Sequence, residues 1–158
     1  MIQRIQSLYL LLAAIISIVV LFLNIGTIYT DEFMYTYTCF TVKEACPGCS
    51  HILGTYYIAG GLICSALLSI ATILLFKKRE KQRQLNSVNM ILYLIVLIIM
   101  LYVYPNIVFV KKGILASPDD LQFNYWILLS LVPAILLYLS NRAIRKDEEL
   151  IRSTERLR

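Results

Sequence analysis

Residues 88–108 read VNMILYLIVLIIMLYVYPNIV and contain no Asp, Glu, Lys or Arg. An α-helix of this length rises far enough to cross the hydrocarbon core of a bilayer, which is about 30 Å thick. Such a helix would be apolar on every side, so it would have no polar face to turn towards water. The stretch therefore predicts a membrane-spanning helix.

Three further apolar stretches of this kind also lack acidic and basic residues: 8–25, 55–76 and 124–140. Because a backbone in lipid must satisfy its own hydrogen bonds, four such stretches predict four helices. The expected fold class is an all-α membrane protein, a four-transmembrane-helix bundle in a single polytopic domain. With 59% apolar and 16% charged residues, the composition excludes a disordered chain, a nucleic-acid-binding domain and an ordinary soluble enzyme.

Lys and Arg residues concentrate on one side of the predicted spans. Twelve of the 15 fall before the first span, in the connection 77–87 or in the tail 141–158, and three fall in the loops 26–54 and 109–123. The positive-inside rule therefore places both termini in the cytoplasm and these two loops outside. The net charge of +5 then divides into +7 on the cytoplasmic side and −2 on the outer side.

The two outer loops carry signals for β-structure. Met34–Val42 alternates aromatic and β-branched residues, which is typical of a strand. Residues 109–115 favour a short hairpin or paired extension, so a small extracytoplasmic β element built from both loops is expected, resting on the helix ends. In the tail, Glu148 and Arg152 stand four residues apart, which predicts a cytoplasmic C-terminal helix continuing the fourth span.

Three cysteines, Cys39, Cys46 and Cys49, lie close together in the first outer loop, just ahead of His51. Because three is an odd number, one thiol stays unpaired unless a metal or another chain takes it. Incidental thiols are one interpretation, and three others are specific. These are a structural disulfide from Cys39 to Cys46 or Cys49, a redox-active Cys46/Cys49 pair, and a zinc site of Cys39, Cys46, Cys49 and His51.

The second predicted helix carries a face of small residues. Gly61, Ser65 and Ser69 are spaced by four and would let another helix approach closely, within the bundle or in an oligomer. Pro133 predicts a kink in the fourth helix. Four aromatic residues lie at the predicted outer boundary, where amphipathic rings anchor a helix in the interface: Tyr102, Tyr104, Tyr125 and Trp126.

The predicted spans contain no Asp, Glu, Lys, Arg or His. Ionisable groups inside a membrane are the usual mark of proton relays and coupled transport, and general acid–base catalysis needs them. No catalytic residue and no cofactor is therefore expected within the spans. The expected partners are the lipid bilayer, other integral membrane proteins and, at five basic residues of the cytoplasmic connection, anionic headgroups: Lys77, Lys78, Arg79, Lys81 and Arg83.

Residues 1–14 read MIQRIQSLYLLLAA. This opening resembles the start of a Bacteroidetes family of small four-helix inner-membrane proteins of unknown function. The resemblance implies a multi-pass protein of the bacterial cytoplasmic membrane, and it implies no activity, cofactor or catalytic residue.

Two functions follow as hypotheses. The first is a non-enzymatic accessory or scaffold subunit of a membrane complex. The alternative is a periplasm-facing thiol–disulfide oxidoreductase that uses Cys46 and Cys49, because four helices with an outer C-x-x-C unit resemble the bacterial quinone-linked disulfide oxidase. That family needs a second cysteine pair in the second outer loop, and residues 109–122 contain no cysteine.

Overall fold

The computed structural model describes residues 2–30, 34–44, 51–75, 79–111 and 120–156, with side chains at 5–30, 34–44, 53–75, 80–111 and 120–147. Within these ranges, four helices are long and apolar enough to cross a membrane, as the sequence predicted. They are α1 (Ile2–Phe22), α2 (Tyr56–Leu74), α3 (Arg79–Ile98), which continues as a π-helix over Ile99–Phe109, and α4 (Leu131–Arg156).

The helices form a closed ring in which each one packs against two others. α1 contacts α2 and α4, and α3 contacts the same two helices. Each helix contributes fully buried side chains to the interior. One example from each helix, in chain order, is Leu10, Leu62, Tyr93 and Leu137. The outer surface is apolar as well, with side chains such as Leu67 and Ile95 about half exposed or more. A soluble bundle would present polar residues there, so this surface suits lipid.

A small antiparallel sheet lies at the end of the bundle where α1 leads to α2 and α3 leads to α4. In the described residues it has five strands in the order β4-β3-β2-β1-β5. The strands are β1 (Asn24–Tyr29), β2 (Met34–Thr38), β3 (Thr41–Glu44), β4 (His51–Gly54) and β5 (Leu121–Phe123). β1 pairs with both β2 and β5, so the two predicted outer loops contribute to one sheet, as expected.

The sheet has one buried face and one polar face. Ile28, Tyr37 and Val42 are fully buried. Because successive side chains of a strand point to opposite faces, their neighbours along the strands lie on the other side. There the pairing forms a row across four strands: Gln122, Thr27, Thr36 and Lys43.

The strand boundaries differ from those expected. Met34–Val42 is not one strand, because the chain turns at Cys39 and Phe40 between β2 and β3. The turn is held by Thr38, whose hydroxyl donates to the carbonyl oxygen of Thr41 over 2.7 Å and accepts from its N–H over 3.2 Å. Residues 24–25, expected at the end of the first span, belong to β1, since pairing with β2 and β5 outweighs continuation of the helix.

The helix boundaries differ too. Residues 109–111, expected to lie within a short hairpin or paired extension, are helical because the π-helix runs on through Phe109 and passes back to α-helix. The second loop instead contributes β5 to the sheet. Much of the expected cytoplasmic connection 77–87 belongs to α3, since residues 79–87 are mostly good helix formers.

The expected kink at Pro133 does not lie within the fourth helix. Pro133 lies in the first turn of α4, directly after a 3₁₀ segment over Tyr125–Ser130, where a missing N–H costs little. The change of helix type therefore comes before Pro133. Pro105 lies inside the π-helix that follows α3.

Candidate functional site

Six buried polar side chains from three helices line the interior of the bundle, and we call them the polar seam: Ser65, Ser69, Asn86, Asn89, Ser140 and Asn141. Asn89 Nδ2 donates to Ser69 Oγ over 2.8 Å, which joins α3 to α2. Asn86 Nδ2 donates to the carbonyl oxygen of Leu137 over 3.2 Å, which joins α3 to α4. Three more bonds link helices in the same way: Asn141 to Ser87, Gln6 to the Ala143 carbonyl and Tyr93 to the Ser130 carbonyl.

Some buried oxygen atoms of the polar seam could accept a further hydrogen bond. Within the described residues, five of its buried oxygens have no hydrogen-bond partner: Oδ1 of Asn86, Asn89 and Asn141, and Oγ of Ser65 and Ser140. Buried acceptors of this kind suit a small donor such as water. Amides and hydroxyls do not ionise in the physiological range, so the seam can hold helices together and orient a neutral donor, but it cannot act as a general acid or base.

The small-residue face of α2 lies inside the bundle. A Cβ added to Gly61 would overlap Cγ2 of Val96 on α3, whereas a Cβ on Gly60 would meet no atom within 4 Å. Further along the same face, Ser65 and Ser69 are buried, and Ser69 Oγ donates to the Ser65 carbonyl over 3.0 Å. Gly61 therefore determines how closely α2 approaches α3.

We expect Asn89→Ala to lower the stability of the bundle by about 0.6 kcal/mol, the average for a hydrogen bond between membrane helices, and by about 1.7 kcal/mol at most. The substitution removes the bond to Ser69 and leaves the rest of α3 in place. The thermal midpoint in mild detergent measures the effect. Ile91→Ala is the matched control, because Ile91 is exposed on the outer surface of the same helix. An equal or larger loss in the control would argue against a special role for the seam.

Tyr37 joins the sheet to the π-helix beneath it. Its hydroxyl donates to the carbonyl oxygen of Met100 over 3.1 Å. Its ring packs edge-on against Phe109, with centroids 5.0 Å apart, and stacks near Tyr104 at 6.3 Å. In a π-helix the N–H of residue i+5 donates to the carbonyl of residue i, and the residue five beyond Met100 is Pro105, which has no N–H. The Tyr37 hydroxyl therefore supplies the donor that the proline lacks.

Of the three loop cysteines, the structure describes Cys39. This thiol has no disulfide partner among the described residues. It is fully buried, and its Sγ donates to the Val20 carbonyl over 3.5 Å. Burial raises the pKa of the Cys39 thiol from 9.0 to about 12. A protonated, inaccessible thiol is a poor nucleophile, so Cys39 acts as a core residue behind the turn between β2 and β3.

Cys46 and Cys49 lie outside the described residues, and so does the side chain of His51, whose backbone belongs to β4. The Cys46/Cys49 redox pair, the pairing of either residue with Cys39 and the four-ligand zinc site therefore stay predictions. Among the described residues, no group of three or more His, Cys, Asp or Glu side chains could hold a metal ion. The fourth cysteine, Cys64, is exposed on α2.

In native protein at pH 8 we expect Cys39 to react with N-ethylmaleimide on the order of a hundred-fold more slowly than after denaturation in SDS, because the native thiol is buried and protonated. The measurement uses a variant in which the other three cysteines are replaced by alanine. Rapid modification of the folded protein would show that Cys39 is accessible and available for exchange.

The basic residues of the connection are only partly described. Lys77 and Lys78 lie outside the described residues, and Arg79 begins α3. Lys81 is exposed and Arg83 is half-buried in the first turns of that helix. Contact of this cluster with anionic headgroups stays a prediction.

Three of the four expected boundary aromatics are exposed, namely Tyr102, Tyr125 and Trp126. Their role as anchors in a membrane interface stays a prediction. Tyr104 is buried beneath the sheet, against Tyr37 and Phe109, and so it is a packing residue and not an anchor.

A family model for a domain of unknown function, DUF4293, matches residues 2–157. The chain belongs to this family. No curated protein matches the sequence. The DUF4293 chain is thus a member of an uncharacterised family, with four helices long and apolar enough to span a membrane.

Two structural features of the DUF4293 chain were not anticipated from its sequence. The first is the polar seam. The spacing of Asn86 and Asn89 could have indicated it, because amides three residues apart share one face of a helix. The second is the contact between Tyr37 and the carbonyl ahead of Pro105. This contact joins β2 of the sheet to the π-helix that follows α3, so the sequence of neither segment alone indicates it.

Proposed function

We propose that this chain is a non-enzymatic accessory or scaffold subunit of a bacterial inner-membrane complex. Its four helices span the bilayer with both termini in the cytoplasm, and the sheet lies on the outer side. The basic residues Lys77, Lys78, Arg79, Lys81 and Arg83 contact anionic headgroups. The helices and the cytoplasmic end of α4 form the contact surfaces for the partner subunit.

The observation that carries the proposal is the length of α4. The hydrogen bond from Gln6 to the Ala143 carbonyl aligns antiparallel α1 and α4. Ile2, four residues before Gln6, then comes level with a position four residues after Ala143, and α4 continues from there to Arg156. The bond from Asn141 gives nearly the same alignment with the start of α3. The last turns of α4 thus pass beyond the first residues of both neighbouring helices.

The sequence of this projecting end suits a helical partner. Leu150 and Ile151 stand among charges of both signs, including Glu148 and Arg152. An amphipathic helix that projects beyond its own bundle can lay its apolar side into a groove or against another helix. The polar seam supports the same proposal, since its neutral side chains serve packing and offer no acid–base chemistry.

The experiment is native purification in mild detergent from the membranes of cells that express the chain at its natural level. The proposal predicts a second membrane protein in stoichiometric amount. It also predicts that L150N/I151N releases this protein while E149Q/R152Q, which changes two charges on the same turns, retains it. Recovery of a lone monomer, or equal retention by both double variants, would contradict the proposal.

A further inference from the structure

A groove runs between α1 and α4 at the end of the bundle opposite the sheet. Its volume is about 400 Å³, and six residues line it: Ile5, Tyr9, Leu139, Arg142, Ala143 and Lys146. The bond from Gln6 Nε2 to the Ala143 carbonyl, 3.1 Å long, fixes the two helices to each other directly beside it. Gln6 itself is buried. The shape of the groove is therefore held by packing and does not depend on a mobile loop.

The groove is apolar at one end and positively charged at the other. Tyr9 and Leu139 form the apolar end, because the alignment of Gln6 with Ala143 brings Tyr9 level with position 140 of α4. Arg142 and Lys146 stand four residues apart on α4, on one face, and both are exposed. Among the side chains that the structure describes, neither of these cations has an acidic partner. Two cations one turn apart can hold a single phosphate between them.

The position of the groove along α4 favours a lipid over other anionic ligands. Apolar residues 131–139 end at Ser140, and the charged part of the helix begins at Arg142. A ligand seated here would have its acidic head at the cations and its hydrocarbon along Tyr9 and Leu139. A free phosphate or a nucleotide would use the cations alone and would leave the apolar half unfilled.

We propose that this groove binds one anionic phospholipid. Its phosphate lies between Arg142 and Lys146, and the start of an acyl chain lies along Tyr9 and Leu139. The site is separate from the basic connection between α2 and α3, and it does not depend on the proposed partner subunit. Long cationic side chains at such a boundary extend towards the headgroups while their stems stay in apolar surroundings.

The test uses the purified full-length protein, delipidated in a zwitterionic detergent and then titrated with phosphatidylglycerol or phosphatidylcholine. Native mass spectrometry measures the number of lipids retained on each chain. We expect one phosphatidylglycerol to be retained in preference to phosphatidylcholine. In R142Q/K146Q its affinity should fall roughly ten- to thirty-fold, as the loss of two cations near a lipid surface implies.

Two further variants make the result specific. R145Q removes an exposed cation from the same part of α4 outside the groove, and it should retain phosphatidylglycerol like the wild type. Leu139→Trp leaves every charge in place but fills the apolar half of the groove, so it should lower retention. Circular dichroism and size-exclusion chromatography check that each variant is folded.

Three results would overturn the proposal. A loss in R145Q as large as that in R142Q/K146Q would mean that the basic end attracts anionic lipid only in general. Competition by inorganic phosphate as effective as that of phosphatidylglycerol would mean that the cations take a free anion. Equal retention of phosphatidylcholine and phosphatidylglycerol would mean that the two cations contribute nothing.

Discussion

Replacing Tyr37 by alanine should destabilise the protein by roughly 3–5 kcal/mol, the cost of removing a large aromatic side chain from a packed core. Tyr37 is fully buried, and its ring lies between the sheet and the residues around Pro105. The truncation opens a cavity and also removes the donor to the Met100 carbonyl. The thermal midpoint of the purified protein in mild detergent is the measurement, and a fall of only a degree or two would contradict the expected role.

Tyr37→Phe separates the hydroxyl from the ring. It leaves the Met100 carbonyl without its donor, which should cost about 1–3 kcal/mol. In a Pro105→Ala background the same change should cost clearly less, because the alanine introduced there has an N–H that can reach the Met100 carbonyl in the π-helix. The four proteins form a double-mutant cycle. Equal costs of Tyr37→Phe in the two backgrounds would show that the hydroxyl does not stand in for the proline's missing donor.

Replacing Gly61 by leucine should lower stability by roughly 1–3 kcal/mol, as expected when bulk is forced into a well-packed contact. A side chain here would overlap Val96, so α2 and α3 would have to move apart and the bond from Asn89 to Ser69 would lengthen. Gly60→Leu is the matched control, because a Cβ on Gly60 meets nothing within 4 Å. Leucine favours a helix over glycine by roughly 1 kcal/mol, so the control should be neutral or slightly stabilising.

Val96→Ala should partly restore the stability of Gly61→Leu, since it removes the atoms that the new side chain meets. Thermal midpoints of the single and double variants measure this rescue. Equal destabilisation at Gly60 and Gly61, or a double variant no better than Gly61→Leu, would show that the contact with Val96 does not determine the approach of the two helices.

The sequence predicts those parts of the fold that depend on one continuous stretch. The segments without charged residues predict four apolar helices, because a long uncharged apolar segment is typical of a membrane-spanning helix. The spacing of Gly61, Ser65 and Ser69 marks the face of α2 that packs closely, because residues four apart share a side of a helix. The alternation in Met34–Val42 reveals extended structure, although not the turn at Cys39 and Phe40.

The features that depend on distant pairing could not be read in this way. β1 follows α1 after one residue, Leu23, and it is a strand because it pairs with residues 34–38 on one side and residues 121–123 on the other. The donor for the Met100 carbonyl comes from β2, far away in sequence. The polar seam needs three helices at once. In each case the partners lie far apart in the chain, so the local pattern carries no information about the contact.

In the proposed orientation the helices span a membrane, with the sheet outside and the start of α3 in the cytoplasm. This orientation is tested most directly by substituted-cysteine labelling in spheroplasts. Lys43→Cys on the polar face of the sheet and Lys81→Cys in the first turns of α3 are compared, because both lysines are exposed. The parent variant has Cys46, Cys49 and Cys64 replaced by alanine, and Cys39 stays buried.

A membrane-impermeant maleimide should modify Lys43→Cys in intact spheroplasts, and it should modify Lys81→Cys only after lysis. Modification of Lys81→Cys in intact spheroplasts, with Lys43→Cys protected until lysis, would contradict the orientation. Equal modification of both positions before lysis would contradict the account of a bundle that crosses the membrane between them.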